Sequence, residues 1–129
     1  MSILYNIIQR GEPGVAGGGT KKYYASAQVR ETVDFEELIE EIAQLSTVNG
    51  ADVSAVLRGM LEVIPKLLSR GHSIQVGNFG YFRISLSSEG SETEEEVSPT
   101  NIRRRKVIFT PGKKLKYMLN NLEFSKNDK

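Results

Sequence analysis

The runs Val76-Gly77-Asn78-Phe79-Gly80-Tyr81-Phe82-Arg83 and Phe109-Thr110-Pro111-Gly112-Lys113-Lys114-Leu115-Lys116 decide how this chain is read. In the first, two glycines bracket a short turn and apolar alternation resumes after it, so it reads as a turn between strands over 72–76 and 80–86. In the second, an apolar strand stops at proline and glycine, and a basic stretch begins. Thr110 is expected to cap a final helix with Pro111 at its first position, where proline's fixed φ is already helical and no amide donor is missed. Leu115, Met118, Leu119 and Leu122 fall at helical spacing and would form its buried side.

Between the two runs, residues 87–100 carry Glu89, Glu92, Glu94, Glu95 and Glu96 among serines and threonines. Such a polar segment cannot bury enough apolar surface to order itself, and a mobile tip or arm is expected. Arg103-Arg104-Arg105-Lys106 then opens a returning strand over 102–109. Strand alternation sends Arg103 and Arg105 to one face and Arg104 and Lys106 to the other.

Upstream, Phe35, Leu38, Ile39, Ile42 and Ala43 recur at helical spacing, predicting an amphipathic helix over 35–45. Asp34 and Glu37 resemble a capping box at its start. Its outer face, Glu36, Glu37, Glu40 and Glu41, reads as a solvated surface with acids favoured by the helix dipole. A second helix is expected over 51–69, with Val53, Val56, Leu57, Met60, Leu61, Ile64, Leu67 and Leu68 apolar and Arg70-Gly71 as its stop. Pro65 removes an amide donor inside it and predicts a kink near 61–64. This apolar face is wide for one helix on one layer, which favours burial against a second subunit.

The first 30 residues read as a strand pair, over 1–8 and 21–30. The loop between them, residues 10–20, holds five glycines and one proline. No Gly-Lys-Ser/Thr follows those glycines, so they read as a linker rather than a phosphate cradle. Residues 125–129 are expected to be disordered.

The net charge of +1 hides an asymmetry. Residues 31–41 hold six acids and no base, whereas residues 103–129 hold nine bases and two acids. The C-terminal quarter is therefore the candidate surface for an anionic partner. There are no cysteines, so disulfides and thiolate metal sites are excluded. No apolar run approaches the roughly 20 residues that a membrane helix needs, and the N-terminus lacks the leading cations of a signal peptide. A soluble, cytoplasmic protein is expected. His72 has no nucleophile or ligand cluster to work with, so no catalytic residue, cofactor, metal or small-molecule substrate is expected and the chain does not read as an enzyme.

From about residue 34 to 124 the chain resembles the HU/IHF family of bacterial histone-like proteins. Gly71, Gln75, Phe79, Gly80 and Phe82 fall on that family's glycine–aromatic run, and Phe109, Pro111, Gly112, Leu115 and Lys116 on its Phe-x-Pro-Gly-x-x-Leu-Lys signature. The leading strand and Lys21-Lys22-Tyr23-Tyr24-Ala25 resemble the extended HU-like proteins typical of Bacteroidetes. The resemblance implies an α+β fold: two N-terminal helices, a three-stranded antiparallel sheet with an arm, a short C-terminal helix and an N-terminal β extension, in an intertwined homodimer. The implied organisation is an extension over 1–30, an HU-like domain over 31–124 and a tail over 125–129. The implied partner is double-stranded DNA in the nucleoid, bound largely without sequence preference. Arg83, Arg103, Arg104, Arg105, Lys106, Lys113, Lys114 and Lys116 are the candidate DNA-binding residues. For the 103–106 block and the helix lysines, a plain solvated surface stands beside phosphate contact.

The sequence departs from the family at the arm. Family arms are basic ribbons whose Arg-Asn-Pro tip wedges between base pairs. Here the tip is acidic, and Pro99 has no arginine beside it. Weak bending follows as an expectation. The alternative is a non-catalytic assembly module in which the acidic arm and the first two strands contact proteins and DNA binding is reduced.

Overall fold

The computed structural model describes residues 2–12 and 14–127. The expectations that touch Met1, Pro13, Asp128 and Lys129 lie outside the described residues. Among the described residues there are three α-helices and six strands, in two compact units. One unit is made of the chain up to Asp34 together with the chain from Leu119 onward; the other runs from Phe35 to Met118.

In the first unit, β1 (Ile3–Arg10) pairs antiparallel with β2 (Lys22–Ala27), from Tyr5 opposite Ala27 to Arg10 opposite Lys22. The glycine-rich connection is a closed loop: the Glu12 amide donates to the Gly18 carbonyl at 2.6 Å, and Lys22 pairs with Glu12 at 3.3 Å. Gly14, Gly17, Gly18 and Gly19 all take positive φ, which explains the glycine run without any ligand. The expected tail is corrected here. Residues Phe124–Lys126 form a strand, β6, parallel to β1, with Ile3 opposite Phe124 and Tyr5 opposite Lys126. The sheet order is β2-β1-β6. Asn127 continues the attachment: its backbone amide donates a hydrogen bond to the Tyr5 carbonyl at 2.9 Å.

In the second unit, α1 (Phe35–Leu45) and α2 (Gly50–Ser69) fall where apolar periodicity places them. Asn49 caps α2, its Oδ1 accepting from the Asp52 amide at 2.9 Å. The helix stops at Gly71 (φ 87°), whose amide donates to Leu68 while that of His72 donates to Leu67. This is the paired-bond stop that a left-handed glycine allows. Pro65 sits inside α2, which continues as one helix to Ser69. Arg58 joins the two helices: its guanidinium bonds Glu36 at 2.8 Å and lies 5.1 Å from the centre of the Phe35 ring.

The sheet of this unit is β3 (Ile74–Val76), β4 (Gly80–Ser88) and β5 (Ile102–Pro111), antiparallel in that order. α3 (Lys113–Asn120) follows. The expected cap on α3 is corrected. Thr110 and Pro111 stay in β5, opposite Tyr81 and Gly80, and the helix starts two residues later. Sheet pairing carries the strand through a proline that local propensity assigns to the helix. The buried side of α3 is also narrower than expected. Leu115 is half-buried, whereas Met118 and Leu119 are 45% and 52% exposed, and Leu122 lies beyond the end of the helix at Asn120.

Ile39, Val53 and Leu68 are the buried apolar side chains among the described residues. Elsewhere in this unit Val56, Leu61, Val63, Leu86 and Val107 are each more than half exposed. Two apolar recesses open beside α2. One, of about 240 Å3, is lined by Ile42, Val48, Val53, Val56 and Leu57. The other, of about 250 Å3, is lined by Met60, Leu61, Ile64, Val76, Phe79 and Phe82.

Candidate nucleic-acid interface

The register of β4 and β5 decides which cations share a face. Tyr81 pairs with Thr110, Phe82 with Phe109, Arg83 with Ile108, Ile84 with Val107, Ser85 with Lys106 and Leu86 with Arg105. Directly opposed residues lie on one face, and the face alternates along each strand. Phe82 marks the inner side: its ring centre lies 4.8 Å from that of Phe109, and it lines the recess beside α2. Ile84, Leu86, Val107 and Arg105 follow Phe82 by parity. Arg83 and Lys106 lie on the opposite, outer side with Gln75, Tyr81 and Thr110.

At one end this outer side meets the start of α3. The Gly77–Gly80 turn packs against Gly112 so closely that a Cβ there would run into the Asn78 carbonyl. The Gly112 amide donates to the Phe79 carbonyl at 2.8 Å, and the Lys114 amide to the Asn78 carbonyl at 3.2 Å. These bonds fix the first turn of α3 against the sheet. The result is a polar depression of about 330 Å3, lined by Gln75, Asn78, Tyr81, Thr110, Lys113 and Lys116. Arg83, Lys106, Lys113 and Lys116 therefore sit on one side of the unit, and none of the positions named on that side is acidic. The depression itself carries Lys113 and Lys116 and no acid, and a concave, one-signed surface of this kind concentrates field lines toward an anion.

The other candidates are placed differently. Lys114 is exposed on the first turn of α3 and does not line the depression. Arg105 belongs to the inner side, beside Leu86. A register shift falls between Leu86 and Ser88, which pair with Arg105 and Ile102, so β5 carries the extra residue of a bulge. Simple alternation holds from Arg105 onward and fails for Arg103 and Arg104. The Arg104 amide donates to Ser87 Oγ at 3.2 Å within this bulge.

Arg103 is committed inside the arm. Its Nε donates to Glu89 Oε1 at 2.8 Å, Nη2 lies 2.7 Å from Glu89 Oε2, and Nη1 donates to the Thr100 carbonyl at 2.9 Å. The arm tip is built rather than shapeless. Residues Glu94–Glu96 and Pro99–Asn101 each form a short 3-10 turn. Asn101 Nδ2 donates to the Glu89 carbonyl and to Ser91 Oγ, while its Oδ1 accepts from the Ser98 amide. Sequence reasoning misses Gln75, Tyr81 and Thr110 as neighbours of the cations. Parity from Phe82 and the β4–β5 register are the signals that locate them.

A family model described as "HU domain fused to wHTH, Ig, or Glycine-rich motif" matches residues 1–126. The chain belongs to this HU-HIG family. The match takes in the β1–β2 extension as well as the helices and the three-stranded sheet. This HU-HIG chain is also 29% identical over 84 residues to an integration host factor subunit alpha from Actinobacillus succinogenes, covering 62% of the chain and 84% of that protein. In fold it is similar to a crystal structure of a Bacteroides vulgatus protein proposed to bind DNA, with a TM-score of 0.68, 12% identity and 97% of this chain covered. The chain spans about half, 48%, of the length of that solved chain. Among the described residues no helix is long and apolar enough to cross a membrane, and no group of three or more His, Cys, Asp or Glu side chains could hold a metal ion.

Proposed function

We propose that this HU-HIG chain is an architectural DNA-binding protein of the bacterial nucleoid. As a homodimer it holds duplex DNA through phosphate contacts, with little sequence preference and weak bending. The observation that carries this reading is the outer side on which Arg83 and Lys106 lie with Lys113 and Lys116, with no acid among the positions named there. Lysine and arginine side chains there contact phosphates whatever the sequence, and binding is driven by release of condensed counterions. Arg104 and Lys114 add charge at the margins. The family membership and the two relatives support the same reading. The homodimer is supported by the open apolar recesses beside α2 and on the inner sheet face. Weak bending is supported by the arm tip, where Pro99 opens a 3-10 turn in an acidic segment.

Mobility-shift titrations at two salt concentrations test the proposal. With about four to six phosphate contacts per dimer, log affinity should fall by roughly four to five per tenfold rise in salt. Arg83→Gln and Lys106→Gln should each weaken binding about equally on unrelated sequences and flatten the slope. Arg105→Gln, on the inner side, should leave both nearly unchanged. Absence of binding at low salt sinks the reading, and an Arg105→Gln effect as large as that of Arg83→Gln sinks the site. A second reading, an assembly module, is supported by the unpaired outer edge of β2, where Tyr23 is 72% exposed. It gains ground if the duplex fails to bind.

A further inference from the structure

We propose that Glu89 withholds Arg103 from DNA, making the acidic arm tip an internal competitor for the phosphate that this arginine would otherwise bind. The inference rests on the DNA-binding reading above and deepens it by naming a residue that sets the strength of binding. Arg103 opens the cationic block at the base of the arm, where composition makes it a candidate phosphate ligand. Yet each of its three guanidinium nitrogens is engaged within the chain, two by the Glu89 carboxylate and one by the Thr100 carbonyl. A carboxylate held in two-pronged fashion occupies the edge of the guanidinium that a phosphate would use. The two anions therefore exclude one another.

The carboxylate is well placed to win. Glu89 is fixed by backbone as well as side chain: its amide donates to the Asn101 carbonyl at 2.8 Å, and its own carbonyl accepts from Asn101 Nδ2 at 3.2 Å. It is thus presented to Arg103 without a search, whereas a phosphate must arrive from solution. Glu92, Glu94, Glu95 and Glu96 occupy the same tip and repel the approaching backbone. Both partners are more than half exposed, with side-chain accessibilities of 54% for Arg103 and 57% for Glu89. The arginine is sequestered by its partner's charge rather than by burial, so removing that charge frees it in place. Glu89 is a positioning residue: it acts on DNA through Arg103.

The test is a titration of the full chain with one duplex across salt concentrations, using Glu89→Gln, Arg103→Gln, their double variant and Glu95→Gln. Glu95→Gln removes the same charge from the same tip at a residue that makes no bond to Arg103 among those described, and so measures simple repulsion. Glu89→Gln should tighten binding about three- to tenfold at low salt beyond the Glu95→Gln effect. It should also steepen the salt slope by roughly two, from one added contact in each chain of a dimer. Arg103→Gln alone should leave the slope of the unaltered chain in place, and adding it to Glu89→Gln should abolish the gain. Thermal melting of each variant accompanies the titration, and a fold intact in Glu89→Gln is required for its gain to count. If the unaltered chain binds but Glu89→Gln does no better than Glu95→Gln, the inference is wrong and the DNA reading stands. If Arg103→Gln alone flattens the slope, Arg103 already touches phosphate and the inference is again wrong. If neither the unaltered chain nor Glu89→Gln binds, the DNA reading fails and takes this inference with it.

Discussion

Gly112 and Gly80 hold the cationic surface together by what they lack. A Cβ on Gly112 would meet the Asn78 carbonyl; one on Gly80 would meet the Thr110 carbonyl and come within 2.7 Å of the Phe109 ring. Gly80 also takes a φ of 151°, which side chains rarely adopt. Gly112→Ala should therefore cost about 1–3 kcal/mol of stability, read as a lower urea midpoint. It should also weaken DNA binding more than its stability loss explains, because Lys113 and Lys116 ride on the displaced turn. A midpoint unchanged from the parent would show that the turn yields freely. These glycines are legible in the sequence as turn formers, but the backbone they admit is not, because Gly112 and Asn78 meet only once β4 and β5 are in register. Arg103 teaches the same lesson. Its charge is written in the sequence, and its partner, fourteen residues back, is chosen by the arm's fold.

Among the elements, α1 and α2 are the parts most fully written in local sequence. Their apolar spacing and the Gly71 stop are self-contained signals, to which the structure adds the Asn49 cap. Asn49→Ala leaves the Asp52 amide without its acceptor and should lower stability by about 1 kcal/mol, seen by chemical denaturation, with DNA affinity per folded molecule unchanged. A loss of affinity at equal folding would mean that α2's start does more than hold the helix. The start of α3 is ambiguous in the sequence, since Thr-Pro-Gly suits both a capped helix and the end of a strand. The pairing of Gly80 with Pro111 decides for the strand. The bulge in β5 is illegible in the sequence for a similar reason. It depends on a mismatch between two strands, and a single-strand pattern carries no trace of it.

For the whole molecule, the chain taken singly leaves much of its apolar surface in water. Half-exposed side chains such as Leu61 and Val107, at 52% and 57%, each forgo about 1 kcal/mol of the burial available to them. Under the homodimer proposed above, sedimentation equilibrium should give twice the 14.4 kDa mass. Leu61→Asp should shift the chain toward the monomer and lower its melting temperature together. A monomer at high concentration with an unchanged melt would overturn the dimer. The sequence carries the expectation of a partner as an apolar face too wide for one layer, but not the partner's geometry, because nothing in one chain's pattern records a second chain.

The parallel pairing of β1 with β6 has a consequence in time. The ribosome releases β1 first and β6 only after all of residues 35–118 have followed. At about 5–20 residues per second, the edge of β1 that β6 later covers waits on the order of ten seconds for its partner. During that interval it is an open template for any other strand. In the crowded surroundings of synthesis, the completeness of the small sheet is thus a race between β6 and any neighbouring strand.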